Sequence, residues 1–156
     1  MRQIIKEVKK DLFSVSNDYA LAHCISADFA LGAGIAKEFD KRFNCRKRLF
    51  DLEDGNGIGY WDNGTHGYCI LMGLCPCENP IILNLVTKRD YWDKPTLITI
   101  KNALSWMKKQ CEMFNINKIA MPRIGCGLDR QNWTDVKALI EEVFADTDIE
   151  IVVCSL

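Results

Sequence analysis

The sequence predicts an α/β protein with helices on both sides of a mixed, mostly parallel sheet. Three observations carry that prediction. Strand-like and helix-like segments alternate along the chain. The run Ile81 to Val86 is almost wholly apolar, as expected of a strand covered on both faces. A long stretch opening at Pro95–Thr96 repeats its apolar residues at helical spacing.

In chain order, Gln3 to Lys9 alternates loosely through Ile5 and Val8 and reads as a strand. Tyr19 to Ile25 is apolar, ends at Ser26, and reads as a second. Ile35, Ala36, Phe39 and Phe43 recur at helical spacing, so a helix follows Gly32–Ala33–Gly34. Asp51 to Gly67 is rich in Gly, Asp and Asn and reads as loops with a short strand around Tyr60. Tyr68 to Leu74 and Ile81 to Val86 are strands around a turn at Asn79–Pro80. Leu97, Ile100, Leu104, Met107, Cys111 and Phe114 then share one face of a helix. Lys118 to Met121 is a short strand. Asn132 is placed to cap a helix striped by Val136, Leu139, Ile140 and Val143, with Asp135 as a weak capping-box partner. Ile149 to Val153 is the last strand.

The 156 residues suit a single domain over 1–156. Lys plus Arg number 20 against 21 Asp plus Glu, a net charge of -1, so non-specific nucleic-acid binding is not the default. Eight cysteines are too few for a disulfide scaffold. MRQIIKEVKK holds no apolar signal-peptide core, and no run approaches a membrane span. The expectation is a cytoplasmic monomer with reduced thiols and no membrane contact.

In open α/β sheets ligands sit outside the carboxyl ends of the strands, so Ser26 to Gly34, Thr87 to Asp90 and Arg123 to Asp129 are the segments that matter. Gly32–Ala33–Gly34 opens a helix, whose free N–H groups suit phosphate. A tight turn serving helix–sheet packing explains it equally well. Arg123 to Asp129 carries Gly125 and Gly127, either a second anion loop or a plain strand-to-helix connection. Two such loops suggest a diphosphate held between them. Lys88 leaves an apolar strand. Desolvation there would free its amine as a nucleophile, although most strand-end lysines are simply solvated. His66, Cys69, Cys75 and Cys77 lack paired C-x-x-C knuckles, so zinc is disfavoured. Cys24 and Cys126 stand at strand ends without a histidine partner, since His23 points to the opposite face. The basic run Lys37, Lys41, Arg42, Arg46, Lys47 and Arg48 reads first as a solvated surface, and otherwise as steering for an anionic substrate.

These residues resemble the macrodomain superfamily, and within it the terminal ADP-ribose protein glycohydrolase branch. The matching stretches are 22–26 (AHCIS), 32–36 (GAGIA), Thr87–Lys88, 94–96 (KPT) and 121–130 (MPRIGCGLDR). Trp133, 140–144 (IEEVF) and 147–149 (TDI) extend the match to the C-terminal part. The chain departs from the family at Lys10, where Gly commonly precedes the early Asp, and across 51–78, which is longer. The resemblance implies a three-layer α/β/α fold with an ADP-ribose cleft and no cofactor or metal. Carried over by position, Asp11 and Leu12 would meet the adenine and Ser26 would touch the ligand. Gly32 and Gly34 would flank the diphosphate and distal ribose. Arg123, Ile124, Gly125, Cys126, Gly127 and Leu128 would wrap the other side, and Leu156 would lie near the adenine. Lys88 would be the nucleophile and Asp129 the acid/base in releasing mono-ADP-ribose from acidic side chains of proteins. A non-catalytic ADP-ribose reader is the other class, which would have no need of the Lys88–Asp129 pair. A hydrolase acting on ADP-ribosylated nucleic acid or O-acetyl-ADP-ribose is a third reading.

Overall fold

The computed structural model describes residues 4–74, 80–127 and 129–156. Its strands are β1 (Ile5–Lys9), β2 (Ala20–Ser26), β3 (Tyr68–Met72), β4 (Ile82–Lys88), β5 (Lys118–Met121) and β6 (Glu150–Ser155). They form one sheet in the order β1-β6-β5-β2-β4-β3, parallel throughout except for the antiparallel edge strand β3. The helices are α1 (Gly34–Phe43), α2 (Cys45–Glu53), α3 (Ile58–Asp62), α4 (Leu97–Met113) and α5 (Trp133–Phe144).

Alternation along each strand sorts the core into two layers. Ala22, Leu83, Leu85, Ile119, Met121, Ile151 and Val153 face α4 and α5, packing on Ile100, Leu104, Met107, Val136 and Ile140. Leu21, Ile25, Ile82, Val86, Ala120 and Val152 face the other way, onto Phe39, Cys45, Leu49 and Trp61 of α1 to α3. The result is the expected three-layer α/β/α sandwich. Among the described residues no helix is long and apolar enough to cross a membrane.

Local chemistry sets the helix ends. Thr96 and Thr99 exchange side-chain and backbone hydrogen bonds in a capping box at the start of α4. Asn132 Oδ1 accepts from Thr134 N at 2.8 Å to start α5, using that amide rather than the backbone of Asp135. α1 ends where Asn44 turns into the left-handed region (φ 55°).

The structure corrects the sequence reading in three places. Asp51 to Gly67 is not loops around a strand: α2 runs to Glu53, and Tyr60 lies inside the short helix α3. Few residues there are apolar, and the helices persist because Cys45, Leu49 and Trp61 plug into the core. β3 ends at Met72, before the left-handed Gly73 (φ 89°). Phe114 leaves the buried face of α4 and is largely exposed. Gln3 and the proposed turn residue Asn79 lie outside the described residues.

Candidate active site

Parallel pairing brings the carboxyl ends of β5, β2 and β4 to one edge, side by side. A cleft of about 810 Å³ opens there, within the ~300–1,000 Å³ range of small-molecule sites. Ser26, Gly32, Gly34, Arg123, Ile124, Gly125, Gly127, Lys88 and Asp129 line it.

One wall is the N-terminus of α1. Ala33 caps that helix without a side-chain hydrogen bond, and Gly34, Ile35 and Ala36 line the cleft. First-turn N–H groups and the positive end of the helix dipole therefore face the cavity, an arrangement suited to an anion. A Cβ at Gly32 would meet only Ala30 O at 3.8 Å, and one at Gly127 nothing within 4 Å. No protein atom demands glycine at these two positions; both keep space open in the cleft. Gly125 differs, because its φ of +73° and the Ile100 Cδ1 atom 3.0 Å from a built Cβ require glycine for the fold itself.

The opposite wall, residues 122–127 and 129–131, carries short turns: Cys126 N donates to Arg123 O, Arg130 N to Gly127 O and Gln131 N to Gly125 O. Gln131 Nε2 pins this loop to Pro95 O at 2.6 Å. The turns deliver Asp129 to Lys88, whose Nζ donates to Asp129 Oδ1 at 2.6 Å. The two side chains are 14% and 15% exposed, so the pair is largely withdrawn from water.

A register shift aims Lys88. Ile25 pairs with Val86, but Ser26 pairs with Lys88, leaving Thr87 opposite no β2 residue. Such irregularities re-aim a side chain at a strand end. Cys24 also lines the cleft. Burial, with the Asp129 carboxylate adding to it, pushes its thiol up to about 12. Burial raises Cys126 too, and its Sγ is turned to Ile124 O. Neither is a thiolate at neutral pH.

The other sequence-derived candidates lie elsewhere. Asp11 caps a 3-10 turn, Leu12–Ser14, at the end of β1, accepting from Phe13 N at 3.0 Å. Leu12 is buried in the core and Leu156 is exposed beyond β6. All three gather at the β1–β6 end of the same edge, and none lines the cleft, nor does Cys126. Leu128, Cys75 and Cys77 lie outside the described residues. Among those described, no three His, Cys, Asp or Glu side chains gather as metal ligands. His66 packs its ring near Trp61 instead. The basic run stays on the surface of α1 and α2, where Arg42 pairs with Glu38 and Lys47 with Asp51.

The sequence reading missed Tyr91, Trp92 and Asp93, which line the cleft mouth. Tyr91 and Trp92 are 63% and 69% exposed and meet edge to face. Their signal was two adjacent aromatics in an otherwise charged loop. Asp28 was missed too, and its carboxylate joins Ser26 and Ala30, which lead into the α1 wall, to Tyr91 at the cleft mouth.

Solved structures share this architecture. The macrodomain of Mycobacterium tuberculosis DarG superposes with a TM-score of 0.79 at 22% identity, covering 97% of both chains. Thermosipho africanus DarTG, solved in complex with ADP-ribose, gives 0.79 at 19% identity over 99% of this chain and 42% of its own. The fold is that of a macrodomain. No family model matches, but human ADP-ribose glycohydrolase OARD1 is 38% identical over 152 residues, 97% of this chain and 91% of that protein. The chain belongs to the macrodomain family of that glycohydrolase.

Proposed function

We propose that this chain is an ADP-ribose glycohydrolase that releases mono-ADP-ribose from acidic side chains of proteins, with Lys88 as nucleophile and Asp129 as acid/base. The observation that carries this reading is the Lys88–Asp129 contact of 2.6 Å in a cleft walled by an uncapped helix N-terminus and a glycine-bearing loop. Kinship with a glycohydrolase supports the reaction class. The diphosphate of ADP-ribose would take the N–H groups at Gly34 to Ala36, placing the distal ribose toward Lys88.

Asp129 accepts a proton from the Lys88 ammonium and frees the amine's lone pair. The amine attacks the anomeric carbon of the distal ribose. The bond from that carbon to the acceptor oxygen breaks, its electron pair leaves on the carboxylate, and Asp129 passes the proton it took from Lys88 to the departing acceptor or to solvent, regaining its charge. Water then attacks the same carbon and loses a proton to Asp129. The carbon–nitrogen bond breaks and the amine takes the proton back. The exposed rings of Tyr91 and Trp92 at the mouth favour a second reading of the acceptor, an ADP-ribosylated nucleobase stacked on them.

The test incubates the protein in parallel with Glu-linked mono-ADP-ribosylated protein, ADP-ribosylated DNA and O-acetyl-ADP-ribose, and measures free ADP-ribose. Release from the protein substrate is expected. Release from DNA alone would move the acceptor to the second reading, and release from none would overturn the hydrolase.

A further inference from the structure

We infer that Asp28 is a positioning residue, a clamp that holds the Lys88-bearing rim against the ligand loop at residues 30–34. This rests on the hydrolase reading above.

Asp28 is half-buried just past the end of β2. Its Oδ1 accepts from Ser26 Oγ at 2.5 Å and from Ala30 N at 3.1 Å. Its Oδ2 accepts from Tyr91 N at 2.9 Å, across the cleft edge. Backbone bonds continue the pairing of β2 and β4 to this point, with Ala27 N donating to Lys88 O and Asp28 N to Arg89 O. Tyr91 stands three residues beyond Lys88 and begins the aromatic mouth. On its outer side the rim is tied by Arg89, which pairs with Asp62 and Asp90. One carboxylate therefore links the wall that leads into α1 to the segment leaving Lys88.

The arrangement also sets the polarity of Ser26. Its hydroxyl proton is committed to Asp28, so Ser26 offers lone pairs to the cleft and is matched to a hydroxyl donor on the ligand.

A carboxylate is required for simple reasons of valence. Ala30 N–H and Tyr91 N–H are fixed backbone donors on opposite oxygens. An amide has one acceptor where the carboxylate has two. In Asp28→Asn the local bond to Ala30, two residues on, is the easier to keep. The Tyr91 amide then faces an NH₂ group, and the tie to the rim is lost without any change of shape.

The experiment measures kcat, KM, ADP-ribose affinity and amide exchange for the wild type, Asp28→Asn, Tyr91→Pro, Tyr91→Ala and the double variant Asp28→Asn/Tyr91→Pro. Asp93 N donates to Asp90 O, closing a turn with Tyr91 at its second position. Proline suits the second position of such a turn, and it deletes the donor along with the ring. Tyr91→Ala removes the ring and keeps the donor. Asp28→Asn should lower kcat about 10–100-fold, keep ADP-ribose affinity within about threefold of the wild type, and speed exchange of the Tyr91 amide. Tyr91→Pro should lower kcat well below Tyr91→Ala. Asp28→Asn/Tyr91→Pro should be no slower than the worse single variant, because both remove one bond. Wild-type kcat and KM in Asp28→Asn, with only a lower Tm, would overturn the inference, as would multiplying losses in the double variant. If the wild type releases no ADP-ribose, the hydrolase reading fails by itself. Tyr91 exchange then decides the clamp: faster in Asp28→Asn supports it, unchanged overturns it.

Discussion

His23 makes a pH test of the strands that carry the site. Its side chain is fully buried, stacked on Phe39 with ring centroids 3.8 Å apart. Nε2 lies 2.7 Å from Asn84 Oδ1. Asn84 Nδ2 donates to Ile70 O, so the imidazole faces the amide oxygen and Nε2 carries the proton. Nδ1 has no hydrogen-bond partner. A second proton there would bury an unpaired charge, and burial pulls the pKa from 6.5 to about 4, with the Asn84 bond opposing. Between those values the unfolded chain holds the proton and the folded chain does not. Stability is therefore fully present above pH 6.5 and falls as pH falls toward 4. The drop corresponds to roughly 3 kcal/mol once pH is below 4, and to roughly 2 kcal/mol between pH 7 and 5. His23→Gln offers a donor to Asn84 but does not titrate. Urea unfolding of both proteins at pH 7 and pH 5 cancels the contributions of all other groups. The wild type should lose roughly 2 kcal/mol more than the variant over that interval. Equal losses would refute the assignment of a neutral, buried His23 joining β2 to β4.

Four further outcomes follow from the cleft. Lys88→Arg keeps the charge beside Asp129 but cannot present a neutral amine; hydrolysis should vanish in a discontinuous assay while ADP-ribose affinity stays within a few-fold, and retained turnover would sink the covalent route. Asp129→Asn should cost about 10²–10⁴-fold in rate, and intact-mass spectrometry should find an added ADP-ribose mapping to Lys88. Gly127→Val, whose Cβ would meet no protein atom within 4 Å, should leave the Tm of the free protein nearly unchanged and abolish the Tm rise produced by ADP-ribose, whereas Gly125→Val should lower the Tm of the free protein itself. Activity should survive dialysis against EDTA, since the amine and the carboxylate between them supply nucleophile and proton acceptor.

Much of this protein was legible in its residues. Short continuous apolar runs marked β2, β4, β5 and β6, because a strand buried between two layers must be apolar on both faces. The stripe through Ile100, Leu104, Met107 and Cys111 marked α4, because a helix lying on a sheet buries one face. Glycines after β2 and β5 and a lysine ending β4 pointed to one edge, since parallel strands end together. α2 and α3 were not legible. Each is anchored by one or two large buried side chains, Leu49 and Trp61, too few to form a period.

Only the tertiary structure decided which of these residues meet. Lys88 and Asp129 are 41 residues apart, and their contact depends on strand order, with β2 between β4 and β5. It depends equally on the unpaired Thr87 that re-aims Lys88 and on the turns that fold Asp129 back over the edge. Asp28 belongs to no sequence pattern, and only the fold brings it to the rim at Tyr91. Hydrophobic pattern reports which face of an element is buried, a property of neighbours along the chain. Pairing between elements is set by packing and hydrogen bonds between distant segments, and no local period encodes it.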